Sequence, residues 1–149
     1  MFVECYLREG TVYVPTVVRQ ASSPTYNIIE PIAVVPLNDP DAVRAALLDS
    51  LSRGNAIIPD PDPWDRDAPP AILKYARVRS WSAFFRTAFS WSIKQVDGAY
   101  RIQGHRKHPK GYWEEDASQK IQFPRHATRE DVVERMIAIL QETARLVPN

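Results

Sequence analysis

Several features are scarce in this 149-residue sequence. It has one cysteine, Cys5, which rules out an internal disulfide and gives no sign of an oxidising compartment. Its five glycines fit turns and helix ends, which leaves none for a glycine-rich phosphate loop. Its longest purely apolar runs are about five residues, far below the roughly 20 that span a bilayer. The N-terminus lacks a basic leader before an apolar segment. We expect a cytoplasmic protein with no membrane segment.

Catalytic sequence motifs are also missing. The chain contains no GxSxG, Walker A, GxGxxG or HExxH pattern. Cys5 lies in an apolar run without an adjacent activating base, which is typical of an inert buried thiol. The sequence therefore favours a protein that is not an enzyme and that needs no cofactor.

What the sequence does contain is ordinary for a folded domain. Hydrophobic residues make up 44% and charged residues 25%, which excludes a disordered chain. Residues 1–149 carry no repeat and no convincing linker, so one domain is expected. The thirteen prolines predict stiff connections between the elements.

Turn residues predict two β-hairpins. Glu9-Gly10 divides residues 2–20, and Asp97-Gly98 is a type I′ turn pair within residues 91–103. A two-residue turn at the second site sets Trp91 opposite Gly104 and Lys94 opposite Arg101. Pro15 places the second strand at an edge or makes it bend there. A third strand is expected over 28–37.

Helices are predicted from their end signals. Asp39 and Gly54 delimit a helix over 40–53, Ser80 caps a short helix, and Thr128 opens the last helix. The remaining segments are predicted as a strand over 71–79, a polar connection over 104–118 and a strand over 120–123. The resulting fold class is α+β: a mainly antiparallel sheet of hairpins packed against two or three helices.

The formal net charge of +1 hides a strong segregation of charge. Residues 26–67 contain eight acids and three bases, whereas residues 71–111 contain nine bases and only Asp97 as an acid. The basic segment also holds seven of the fifteen aromatic residues, and Tyr112 and Trp113 follow it directly. Either the two segments neutralise each other within the fold, or one of them meets a partner.

The acidic, proline-rich loop at residues 60–67 is a clearer indication of a binding surface than the basic segment is. Proline stiffness reduces the entropy lost on binding, and a tryptophan among aspartates can anchor a contact with a basic protein. In the opposing interpretation, the loop lies over the basic hairpin and neutralises it, and the tryptophan packs back onto the body of the protein. The candidate partner-binding residues are Asp60, Asp62, Trp64, Asp65 and Asp67.

The basic segment supports an alternative function, the binding of nucleic acid through phosphate contacts and base stacking. Lys94 and Arg101 are directly opposed in the predicted hairpin, and like charges so placed destabilise a sheet unless solvent or an anion relieves them. The candidate anion-binding residues are Lys94, Arg101, Arg106, Lys107 and Lys110.

Histidines and carboxylates between residues 105 and 126 are candidates for a metal or catalytic site. His105-x-x-His108 has ligand-like spacing, but the surrounding bases repel a divalent cation, so a solvated basic turn and no metal are expected. A weaker alternative is an enzyme that acts on an anionic metabolite. That function requires a pocket lined by His105 together with Glu114 or Glu115.

Three stretches carry a resemblance to known proteins. They are LKYARVRSWSAF at 73–84, WSI at 91–93 and DGAYRI at 97–102. They resemble parts of small stand-alone bacterial proteins of uncharacterised type. The overall plan of the chain, with its length, α+β pattern, single cysteine, lack of catalytic motifs and charged surface, is similar to that of immunity proteins of contact-dependent growth inhibition and related polymorphic toxin systems. The resemblance implies a cytoplasmic protein that binds a toxin domain, often a nuclease, and blocks its active site. The resemblance does not identify any functional residue of this chain.

Overall fold

A seven-stranded sheet organises the residues that the computed structural model describes, 1–60 and 70–147. Its order is β3-β2-β1-β5-β6-β7 with antiparallel neighbours, and β4 pairs in parallel with β2. The strands are β1 Phe2–Arg8, β2 Thr11–Gln20, β3 Tyr26–Pro36, β4 Ile57–Ile58, β5 Ala88–Val96, β6 Ala99–Lys107 and β7 Trp113–Gln122. The helices are α1 Pro40–Arg53, α2 Ile72–Ala76, α3 Trp81–Thr87 and α4 Arg129–Leu146. The α+β prediction is confirmed.

Both predicted hairpins are present. The central turn residues have positive φ, 50° and 76° at Glu9-Gly10 and 52° and 79° at Asp97-Gly98. Such left-handed turns match the twist of the flanking strands. The second hairpin has the predicted register, with Trp91 opposite Gly104.

Pro15 lies at an irregularity of the sheet and does not mark an edge. β2 lies between β1 and β3, so the edge interpretation is wrong. The register of β2 with β3 shifts between Pro15 and Thr16, where β3 contains the two extra residues Glu30 and Pro31.

The predicted helix ends are confirmed by hydrogen bonds. The Asp39 side chain accepts from the Ala42 N–H at 3.1 Å, and the Ser80 hydroxyl accepts from the Ala83 N–H at 3.1 Å. Helix α4 begins with a capping box, in which two residues hydrogen-bond each other reciprocally. The Thr128 Oγ1 accepts from the Asp131 N–H, and the Asp131 carboxylate accepts from the Thr128 N–H. No helix in the described part of the chain is long and apolar enough to cross a membrane.

Two predicted segments are wrong. The strand expected over 71–79 is the helix α2, whose buried residues Ile72, Leu73 and Ala76 have helical spacing, and it ends at Arg77 in the left-handed conformation. The polar connection expected over 104–118 is the end of β6, a turn and most of β7, and the strand expected over 120–123 is only the last part of β7. The polar residues of β7 mark a sheet edge and not a loop.

The two faces of the sheet carry separate hydrophobic clusters. On one face, α1 and α4 cover the side chains Val3, Cys5 and Leu7 of β1 together with their neighbours on β2, β5 and β6. On the other face, α2 and α3 pack against Tyr6 and Tyr13. These short helices lie over the part of their face near β1 and β2. The charged and polar residues of β5, β6 and β7 line up beside them.

Candidate functional site

Strand β7 supplies carboxylate partners to two of the four lysines and arginines of the hairpin β5–β6. Lys94 forms an ion pair with Glu115, and the Arg106 Nε lies 2.8 Å from the Glu114 Oε1. Lys94 and Arg101 are opposed as predicted, and Glu115 supplies the negative charge beside them. The anion that relieves this like-charge pair is therefore within the fold.

The remaining predicted anion-binding residues have different surroundings. The Arg101 Nε donates to the Gln122 Oε1 at 3.1 Å, so it also engages β7. The Lys107 Nζ donates to the Arg86 carbonyl oxygen at 2.7 Å and has no carboxylate partner among the described residues. Lys110 is exposed in the turn between β6 and β7 and, within the same described ranges, also has no carboxylate partner. The five predicted bases thus divide into three that engage β7 and two that do not.

The acidic loop is described only at its start. Asp60 accepts a hydrogen bond from the Ser22 N–H at 3.2 Å, which ties the beginning of the loop to the segment between β2 and β3. The other predicted partner-binding residues lie outside the described residues, so their contact with a partner stays a prediction. They are Asp62, Trp64, Asp65 and Asp67.

A row of polar side chains crosses the centre of the sheet on the face opposite α1 and α4. Glu4, Ser92 and Gln103 are neighbours on β1, β5 and β6. Burial raises the pKa of Glu4 to about 7, although a hydrogen bond from Tyr6 and the charge of Lys94 oppose the rise. The Ser92 hydroxyl is buried without a hydrogen-bond partner among the described residues. Sequence reasoning missed this row. The indication of this row in the sequence is the charged residue Glu4, which stands between the apolar residues Val3 and Cys5.

The two histidines of the H-x-x-H motif make separate contacts. The His105 Nδ1 lies 3.1 Å from the Ser90 Oγ and 3.2 Å from the Ser90 carbonyl oxygen, and burial lowers the pKa of its imidazole. His108 stacks on Tyr112 at 4.4 Å, and its Nδ1 accepts from the Lys110 N–H at 3.0 Å. Within residues 1–60 and 70–147, no group of three potential ligands has the geometry to hold a metal ion.

A cavity of about 500 Å³ lies where β5, β6 and β7 meet the end of α4. Its wall combines aromatic and aliphatic side chains with polar and charged ones, which are His105, Arg106, Lys107, Asp116, Gln119 and Thr143. Neither Glu114 nor Glu115 lines it, because both pair with bases of β5 or β6 on the sheet. This cavity therefore lacks the combination of groups that the enzyme alternative requires.

Comparison with known proteins gives a likeness in fold. No family model matches the sequence, and none of the curated proteins does. A protein of unknown function from Neisseria meningitidis has the same fold with a TM-score of 0.65 at 13% identity, over 95% of this chain and 93% of that one. A chain of the CdiA-CT/CdiI toxin and immunity complex from Yersinia pseudotuberculosis aligns with a TM-score of 0.62 at 13% identity, over 93% of this chain and 95% of that one.

Proposed function

We propose that this chain is a non-enzymatic immunity protein that acts in the cytoplasm, where it binds a toxin domain and neutralises it. The observation that carries the proposal is the likeness in fold to a chain of a toxin and immunity complex over almost the full length of both chains.

The pairing of charges within the sheet supports the acidic loop as the partner-binding surface. If Lys94 and Arg106 lacked partners, the aspartates of residues 60–67 would be their natural counter-ions. Both bases already contact carboxylates of β7. The loop is thus not required to neutralise these two bases. Its charge remains available to the unpaired cations near α3 or to a partner, and we propose that its aspartates and Trp64 contact a basic surface of the toxin domain.

The test uses the C-terminal domain encoded by the gene immediately upstream, produced together with this protein in bacteria. We expect that domain to arrest growth when produced alone, and co-production to restore growth and yield a complex on size-exclusion chromatography. Arrest that persists in the presence of the folded protein, with no complex formed, would contradict the proposal.

A charge-matched pair of variants then locates the surface. The loop variant replaces Asp60, Asp62, Asp65 and Asp67 with asparagine and is expected to bind the toxin domain about tenfold or more weakly without unfolding. The control changes four exposed acids elsewhere to the corresponding amides: Glu9, Asp49, Glu130 and Glu142. Equal affinities of the two variants would remove the loop from the binding surface and leave the immunity function in place.

A further inference from the structure

Exposed cations without carboxylate partners surround helix α3. In the described residues none of them forms an ion pair, in contrast to the bases that engage β7. We name this set the α3 basic surface; it consists of Arg77, Arg79, Arg86, Lys107 and Lys110. Their mutual repulsion is not relieved by any acid within hydrogen-bond distance in that part of the chain. An external anion would relieve it.

The fold brings these cations to one region. Arg77 and Arg79 immediately precede α3, and Arg86 lies in its last turn, about 8 Å along the helix axis from Trp81. The Lys107 Nζ donates to the Arg86 carbonyl oxygen at 2.7 Å, which fixes the end of β6 against the helix. Lys110 follows in the turn that leads to β7. The surface is thus built from three separate elements of the fold.

Partly exposed aromatic rings lie among these charges. The rings of Phe85 and Trp113 are 4.7 Å apart, and those of Trp81 and Trp113 are 5.4 Å apart and perpendicular. The Lys107 ammonium lies 5.6 Å from the centre of the Phe85 ring. All three rings are only half-buried, and Tyr112 beside them is 50% exposed. The surface therefore offers flat apolar area as well as positive charge.

From this combination we infer that the α3 basic surface binds single-stranded nucleic acid. Arginine and lysine neutralise backbone phosphates, and exposed aromatic rings stack on unpaired bases without regard to sequence. A duplex hides the faces of its bases, and an acidic peptide would use the cations but not the rings. The inference goes beyond the proposed immunity function and does not depend on it.

The test measures fluorescence anisotropy of labelled 12-nucleotide oligo(dT) and oligo(U) with the full-length protein. Single-strand affinity falls with salt by an exponent of about 0.7 per neutralised phosphate. If all five cations contact phosphates, affinity should fall about 130-fold between about 50 and 200 mM salt. Absence of binding at the lower salt would overturn the inference and would leave toxin binding untouched.

Two variants that each lose three positive charges distinguish binding at the α3 basic surface from general electrostatic attraction of the nucleic acid to the protein. Changing Arg86, Lys107 and Lys110 to glutamine should lower the salt dependence to about 7-fold over the same range, because two contacts remain. The control changes three exposed bases away from α3, Arg19, Lys120 and Arg125, to glutamine. Equal losses in both variants would show that no particular surface is used and would refute the inference.

A second pair tests the rings. Phe85→Leu keeps an apolar side chain and removes the stacking partner, so affinity should fall about 5- to 100-fold if a base stacks there. Phe2→Leu, which alters a ring stacked on Tyr26 in another part of the protein, should change affinity little. Unfolding in urea confirms that both variants fold. A glutamate-rich peptide that displaces the oligonucleotides and binds more tightly would show that the partner is an acidic protein and would overturn the inference.

Discussion

Replacing Glu4 with glutamine should remove the pH dependence that this carboxylate imposes on stability. Glu4 lies on the central strand β1, beside Ser92 of β5, with the Tyr6 hydroxyl and the Lys94 ammonium as its polar neighbours. Burial raises its pKa from 4.5 to about 7. The glutamine side chain has a similar size and carries no charge at any pH.

The sign and size of the effect follow from the raised pKa. Between pH 4.5 and about 7 the native state holds the Glu4 proton and the unfolded state does not, so stability falls as pH rises through this range. The shift of about 2.5 units corresponds to about 3 kcal/mol at 1.36 kcal/mol per unit. The lowered pKa of His105 makes stability rise with pH just below the usual pKa of histidine. This contribution is the same in the wild type and in the variant, so it cancels in the difference between their free energies of unfolding.

Urea unfolding of the wild type and of Glu4→Gln at pH 5 and pH 8 measures the effect. The free energy of unfolding of the variant relative to the wild type should rise by about 2.5 kcal/mol between the two pH values, slightly less than the full effect because the unfolded state is already partly protonated at pH 5. Parallel pH profiles for the two proteins would refute the claim that burial controls this carboxylate. Lys94→Met provides a check: it removes a charge that lowers the Glu4 pKa, and should therefore steepen the pH dependence of the protein that retains Glu4.

Two further predictions concern buried positions near the sheet centre. Gly104→Ala should reduce the free energy of unfolding, measured in urea, by about 1–3 kcal/mol. The reason is that a Cβ at this position would lie 2.7 Å from the Trp91 ring and 2.3 Å from the Gln119 Oε1. A loss below about 0.5 kcal/mol would contradict that packing. Cys5 should not react with an aromatic disulfide reagent at pH 8 in the native protein and should react fully in urea, because burial raises the pKa of its thiol to about 12; fast labelling without urea would show that the strand is accessible.

Local signals were sufficient to predict much of this fold. The Asp97-Gly98 turn determines its own backbone and hence the register of the strands on either side. Asp39 and Thr128 likewise act within their own first turn, so the ends of α1 and α4 could be read from neighbouring residues. Each of these predictions depends on contacts across a few residues.

The errors occur where distant contacts decide the structure. Ile72, Leu73 and Ala76 can satisfy a strand or a short helix, and packing against Tyr6 and Tyr13 selects the helix. Strand β7 is largely exposed, so it lacks the apolar alternation that marks a half-buried strand. The ion pairs that β7 makes with the hairpin, and the polar row through Glu4, depend on which strands become neighbours. The sequence offered no local signal for that choice.

The pairing of β1 with β5 has a consequence for synthesis on the ribosome. These two strands are adjacent at the centre of the sheet, yet one ends at Arg8 and the other begins at Ala88. The first hairpin can form as soon as it emerges, but one side of β1 has no partner until β5 has left the exit tunnel. At about 5–20 residues per second, the nascent chain carries that unpaired strand for about 4–16 seconds. The apolar side chains of β1 that face α1 and α4 are fully covered only later, when α4 at Arg129–Leu146 has also emerged. During both periods the nascent chain exposes an open strand edge and apolar surface of the kind that chaperones bind.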